Sequence, residues 1–154
     1  MDRSGRTERK GVMDEKKIIK MAILGAGNIA AKMADTVRQM EGVESFAVAS
    51  RTLEKAQKFA SAHRIKKAHG SYEEMAEDGE VDLVYIATPH SEHYQNMKLC
   101  LNHGRHVLCE KAFTINAAQA REVISLAKEK GCFLMEAMWT RFQPFVKQVK
   151  TLLD

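Results

Sequence analysis

Long apolar runs, charge of one sign and cysteine are what this sequence is short of. No apolar stretch is long enough to cross a bilayer as a helix, so no membrane partner is expected. Its 24 lysines and arginines are interspersed with 20 acids for a net charge of +4, and aromatics make up 6%. There is no basic stripe interleaved with aromatics, so nucleic acid is not an expected partner either. The three cysteines, Cys100, Cys109 and Cys132, are an odd set without C-x-x-C spacing. They sit inside apolar patterns and read as buried, reduced thiols. Residues 1–17 are charged, lack the apolar core of a secretory signal, and mix acids with bases unlike a mitochondrial presequence. They read as a disordered N-terminal extension, with Met13 a natural start, and the expected location is cytoplasmic. No internal repeat or low-complexity tract interrupts the rest.

What is present suffices for one domain with a real core: the chain has 154 residues. Ile18 to Leu24 form an apolar run that reads as a buried strand. It turns into Gly25-Ala26-Gly27-Asn28-Ile29-Ala30, and Ile29, Met33, Val37 and Met40 then recur at the spacing of one helix face, closed by Gly42. A strand, a G-x-G-x-x-A loop and a helix in that order fit a dinucleotide-binding loop. Gly25 permits the tight turn, Gly27 lets the backbone approach a pyrophosphate, and Ala30 is small enough for close helix–strand packing. The helix N-terminus offers free N–H groups and partial positive charge to phosphates.

Further along, Ser45–Ala49 reads as a strand, and Thr52 caps a helix whose inward face is Leu53, Ala56 and Ala60. Lys66–His69 is a short third strand. Ser71 with Glu74 forms a capping box. Val81–Ala87 is a clear strand ending at Pro89, Ser91–His103 a helix closed by Gly104, and His106–Glu110 a strand. Asn116 caps a helix facing inward through Ala120, Val123, Ile124 and Ala127, and Phe133–Ala137 is the last strand. A final helix begins near Gln143-Pro144. Strands alternating with helices predict an α/β fold, a doubly wound parallel sheet of Rossmann type in the order 3-2-1-4-5-6 over residues 18–140.

In such sheets ligands bind beyond the carboxyl ends of the strands. The second strand ends in Ser50-Arg51, where an NAD-preferring protein usually has an acid on the ribose. A serine can donate to a 2′-phosphate and an arginine can pair with it, so NADP is favoured, with NAD the alternative cofactor. The fourth strand ends in Thr88-Pro89-His90-Ser91-Glu92-His93. The two histidines are read as lacking the partner set of a metal centre, so no metal site is expected. The fifth ends in Glu110-Lys111, and a lysine at this edge can polarise a hydroxyl or carbonyl and move a proton. The bland reading of that pair is an ordinary surface ion pair.

Taken together, the G-A-G-N-I-A, A-T-P-H-S-E-H and C-E-K-A-F segments resemble the amino-terminal half of the Gfo/Idh/MocA oxidoreductases. The run from Met135 through Glu136, Ala137, Met138, Trp139, Thr140 and Arg141 to Phe142 is most similar to the dimeric dihydrodiol dehydrogenase branch. The resemblance covers Lys20 to about Phe145. It implies that Gly25, Gly27, Asn28 and Ile29 hold the pyrophosphate, and Ser50 and Arg51 the adenosine end. It further implies that Thr88, Pro89, His90 and His93 line the nicotinamide side, with Glu110 near the nicotinamide ribose. Lys111 matches the catalytic lysine, and Trp139 and Arg141 match positions near the nicotinamide and substrate pocket. The implied activity is hydride transfer between the nicotinamide and a hydroxyl of a sugar, polyol or dihydrodiol.

Two departures stand out. The family usually has proline after its Glu-Lys pair, and this chain has Ala112. Family members also continue into a second α/β domain that completes the substrate pocket, and residues 141–154 read as the start of a linker helix toward it. That second domain is absent from the sequence, so these 154 residues are expected to bind cofactor with little turnover. Phe145, Val149 and Leu152 are then expected to form an apolar patch capable of self-association. The competing reading is a non-catalytic nucleotide-binding regulatory module, since the family's fold also serves in sensors and a transcriptional repressor.

Overall fold

Six short strands, each too small to bury itself, pair into one parallel sheet and take helices on both faces. The computed structural model describes residues 18–153; the extension read at 1–17 and the terminal Asp154 lie outside them. The strands are β1 (Ile19–Leu24), β2 (Val43–Ala49), β3 (Lys67–His69), β4 (Leu83–Ile86), β5 (His106–Glu110) and β6 (Leu134–Ala137). They pair throughout in parallel in the order 3-2-1-4-5-6. Between and after them run α1 (Asn28–Val37), α2 (Leu53–His63), α3 (Tyr72–Glu77), α4 (His93–Asn102), α5 (Ala117–Glu129) and α6 (Pro144–Leu153). This is the doubly wound order the sequence predicts.

β1 is the centre of the packing because it pairs with β2 on one side and β4 on the other. Its side chains alternate between two cores, as a strand's period of two requires. Ala22 and Leu24 join Val84, Ile86, Met97 and Leu101 on one face, while Met21 and Ile23 join Ala30, Ala34, Val48 and Tyr85 on the other. Burying each Leu or Ile there contributes about 1.5–3 kcal/mol. An exposed ion pair such as Lys66–Glu44 contributes at most about 1 kcal/mol. Burial along β1 therefore places the sheet.

Several helices face inward differently from the apolar stripes read in the sequence. The buried residues of α1 are Ala30, Ala34 and Val37, whereas Ile29 and Met40 are exposed. The helix also ends at Val37, and Gly42 lies beyond a tightened turn in which Gln39 N–H bonds Thr36 O and Met40 N–H bonds Val37 O. Small side chains let α1 lie close against β1, so its alanines turn inward and its larger residues outward. The same preference exposes Leu53 on α2 and Ile124 on α5 while burying Ala56, Ala60, Val123 and Ala127.

The caps follow the sequence. Thr52 accepts from Lys55 N–H at 3.4 Å, Ser71 from Glu74 N–H at 3.1 Å, and Asn116 from Gln119 N–H at 2.9 Å. The capping box is one residue displaced: the Glu74 carboxylate accepts from Gly70 N–H at 3.0 Å, not from Ser71. Cys100 and Cys109 are buried, but Cys132 is only half-buried, which corrects its reading as a core thiol. α6 buries none of its residues, and Phe145, Val149 and Leu152 are all exposed. No helix among the described residues is long and apolar enough to cross a membrane.

Candidate functional site

The order of the sheet reverses between β1 and β4, and loops leaving their carboxyl ends on opposite sides open a crevice there. A cleft of about 540 Å³ lies at that place. Its floor is Gly25 to Ile29, one wall comes from Ser50, Arg51 and Lys55, and the other from Ala87, Thr88, Pro89 and Glu92.

The two loop glycines have different causes. Gly25 has φ +105°, and a Cβ there would stand 2.9 Å from Ala87 O, so the fold itself demands glycine. Gly27 is the N-cap of α1 with extended backbone (φ −106°, ψ −171°), and a Cβ there would meet nothing within 4 Å. Neither backbone strain nor neighbouring protein atoms require glycine at 27. Open space at the uncapped start of a helix is instead room for a close-approaching ligand. Gly27 contributes no side-chain cap, and no acid occupies the first turn of α1. The N–H groups there are available to an anion and carry the positive end of the helix dipole. The residues present fit a dinucleotide pyrophosphate.

At the adenosine end, Ser50 is buried, and Arg51 and Lys55 are exposed. Lys55 and Tyr72 line the cleft without having been read as site residues. Lys55 follows Arg51 by four residues and lies in the first turn of α2, and that spacing was the available signal. Nothing local marks Tyr72, which reaches the cleft from the start of α3. Burial raises the Tyr72 phenol above its ordinary value, an effect Arg51 opposes.

On the far wall, Thr88 is buried and its Oγ1 accepts from Asn96 Nδ2 at 3.0 Å. His93 is fully buried, with Nε2 2.9 Å from Thr88 O and Nδ1 2.8 Å from Ala112 O. It joins two loops rather than lining the cleft. His90 is exposed in a 3-10 turn, edge-on to His93 with ring centroids 5.4 Å apart.

Glu110 and Lys111 stand at the end of β5, one strand beyond β4. Both Glu110 oxygens are engaged, one by the Tyr85 hydroxyl and the other by Lys111 N–H at 3.2 Å. Burial, and then Glu110 itself, push the Tyr85 phenol far above its ordinary value, so it stays protonated and donates. The Lys111 side chain is exposed, and its ammonium makes no ion pair among the described residues. That replaces the surface-pair reading: Glu110 bonds the lysine's backbone. Trp139 and Arg141 lie in a 3-10 turn after β6, both exposed. The cleft thus gathers Gly25, Gly27, Asn28, Ile29, Ser50, Arg51, Thr88 and Pro89. His90, His93, Glu110, Lys111, Trp139 and Arg141 lie outside its lining.

A model of the oxidoreductase family with NAD-binding Rossmann fold, Gfo/Idh/MocA, matches residues 19–138. The chain belongs to this family. Its similarity to the trans-1,2-dihydrobenzene-1,2-diol dehydrogenase of Xenopus laevis is 42% identity over 88% of this chain, and to that of Sus scrofa 43% over 88%. It spans 42% and 41% of those two enzymes' lengths. Among solved structures, a 3-ketoreductase from Actinomadura kijaniata in complex with TDP-benzene and NADP is 30% identical, with a TM-score of 0.82 over 88% of this chain and 43% of that one. An NAD binding oxidoreductase from Klebsiella pneumoniae gives a TM-score of 0.83 at 25% identity, over 90% of this chain and 39% of that one. The Gfo/Idh/MocA chain described here is therefore an NAD(P)-binding oxidoreductase domain.

Proposed function

We propose that this domain binds NADP in preference to NAD and serves a dehydrogenase acting on a hydroxyl of a sugar, polyol or dihydrodiol. The observation that carries it is Gly27, whose missing side chain the protein's own packing does not explain. Gly25, Gly27, Asn28 and Ile29 hold the pyrophosphate through backbone N–H groups, and Ser50 with Arg51 and Lys55 holds a 2′-phosphate. The absence of a carboxylate at the end of β2 supports the phosphorylated cofactor, because an acid there would repel it. The likeness to dihydrodiol dehydrogenases supports the substrate class.

A bound nicotinamide supplies the hydride acceptor or donor. The chain's own part is positional and protic. Thr88, Pro89 and His90 border the nicotinamide side, Glu110 fixes the backbone of Lys111, and Lys111 Nζ exchanges the proton of the substrate hydroxyl. Trp139 and Arg141 sit toward the substrate. Catalysis requires the reacting carbon held against the ring. The described residues provide the cofactor side of that arrangement.

The test is titration of the purified chain with NADPH and with NADH, following cofactor fluorescence. Tighter binding of NADPH supports the reading. Preference for NADH overturns the role given to Ser50, Arg51 and Lys55, and binding of neither overturns the cofactor function of the chain.

A further inference from the structure

The stretch that carries Lys111 leaves the end of the sheet, yet three of its backbone groups are held by side chains from three separate elements. Lys111 N–H donates to Glu110, which is itself gripped by Tyr85 from β4. Ala112 O lies 2.8 Å from the His93 ring at the start of α4. Phe113 N–H donates to Glu136 Oε1 at 3.0 Å from β6. Through its other ring nitrogen His93 also reaches Thr88 O, a wall of the cofactor cleft. The lysine loop is thus coupled to that wall on one side and to the edge strand on the other.

Glu136 is the odd member. Glutamate is depleted in strands, and this one is only half-buried on β6, which pairs with β5 alone. It contributes nothing to either apolar core. Its carboxylate accepts from a loop amide two residues beyond Lys111. A carboxylate accepting from a backbone N–H makes a charge-assisted bond, stronger than a neutral one.

We propose that Glu136 is a positioning residue for Lys111: its carboxylate, acting with Tyr85 and His93, fixes the 111–113 backbone and with it the place of the lysine ammonium beside the cofactor cleft. The proposal rests on reading Lys111 as the proton-transferring residue.

Two measurements on the 154-residue chain test it, in wild type, Glu136→Leu and Glu136→Gln. The first is amide hydrogen exchange at Phe113. The second is the rate of Lys111 acylation by acetic anhydride at one fixed pH, read by peptide mass spectrometry against exposed Lys147. Losing the acceptor in Glu136→Leu is expected to speed Phe113 exchange by about tenfold or more. It should also change the rate of Lys111 acylation while Lys147 and the β4 amides stay as they were. Glu136→Gln retains an acceptor oxygen and is expected to restore most of both. Glu136→Ala serves as a second removal should the leucine lower the yield of folded chain. Unchanged Phe113 exchange, or an unchanged Lys111 acylation rate, in the removal variants overturns the proposal. NADPH titration of the same wild-type sample decides the dehydrogenase reading separately, since exchange and acylation need no cofactor.

Discussion

Gly25 and Ala87 meet at the switch point of the sheet: a Cβ on Gly25 would lie 2.9 Å from the Ala87 carbonyl oxygen, on a residue whose φ is +105°. Backbone conformation and close approach both forbid a side chain. We expect Gly25→Ala to destabilise the fold by about 2–4 kcal/mol, from left-handed strain plus overpacking. Gly27→Ala meets neither obstacle and should leave thermal stability nearly unchanged, yet weaken NADPH binding by about tenfold or more by blocking close approach to the pyrophosphate. Thermal melts and cofactor titrations of the two variants are expected to separate cleanly. Equal losses of stability would refute the distinct roles given to the two glycines.

The ionic cluster below β3 gives the fold a defined acid dependence. Burial opposes charge on Asp78, but Glu80 N–H and the Lys67 ammonium outweigh it and hold the carboxyl below its ordinary value of 3.8. A carboxyl depressed in the folded state adds stability that is fully present above the unfolded value and is lost as pH falls through the folded one. Between pH 7 and 5 Asp78 should therefore contribute a constant amount. Below about pH 4 its contribution declines, and Asp78→Asn should flatten that part of a denaturation-against-pH curve. The sign reverses for Lys67, raised by Glu80 and then Asp78: its contribution is retained below 10.5 and lost at higher pH.

The topology was legible in the sequence because it depends on strong, repeated signals. Apolar runs such as Met21–Leu24, glycine-marked helix ends and the caps at Thr52, Ser71 and Asn116 all point to the same alternation. Which helix face turns inward was less legible. Ile29 and Leu53 carry more hydrophobicity than Ala30 and Ala56, and a periodicity reading favours them. Close helix–sheet approach nonetheless rewards the small residue. The glycine loop and the end of β2 line one cleft because local chain geometry places them there. Lys55 was separated from Arg51 by a cap and a turn of helix. The burial of His93 outside the cleft lining was not legible because its partners, Thr88 O and Ala112 O, are backbone atoms with no residue-type signature. Glu136 was invisible for the same reason.

The thiols should be inert in the folded chain. Burial pushes Cys100 up to about 12 despite the opposing effect of Arg105, and burial likewise pushes Cys109 up to about 12, with Glu110 adding to it. At pH 8 neither offers appreciable thiolate, the reactive species. We expect iodoacetamide at that pH to spare Cys100 and Cys109 until denaturant is added, and to modify half-buried Cys132 first. Rapid native-state labelling of Cys100, checked by peptide mass spectrometry, would contradict the packing of α4 against the sheet.

The choice between phosphorylated and unphosphorylated cofactor falls to two exposed cations, Arg51 and Lys55, one turn apart beside buried Ser50. Their expected contributions differ in kind. A guanidinium offers planar, two-pronged donation to a phosphate, whereas an ammonium acts as a point charge. Arg51→Lys should therefore retain part of the NADPH affinity, and Arg51→Ala should lower it by about tenfold or more, at the level of a charge-assisted contact of about 1.5–3 kcal/mol. Lys55→Ala should cost less because a solvated point charge is more easily replaced by water. NADH binding should hardly change in any of the three, since no 2′-phosphate is present to lose a partner. Both sites are open to solvent, so salt screens them over about 8–10 Å at physiological strength. The NADPH advantage should accordingly shrink as salt rises, and it should shrink less in Arg51→Ala, where part of the electrostatic contribution is already gone. A preference for NADPH that survives both alanine substitutions would move the discrimination elsewhere in the cleft, with Ser50 and Tyr72 next to be substituted.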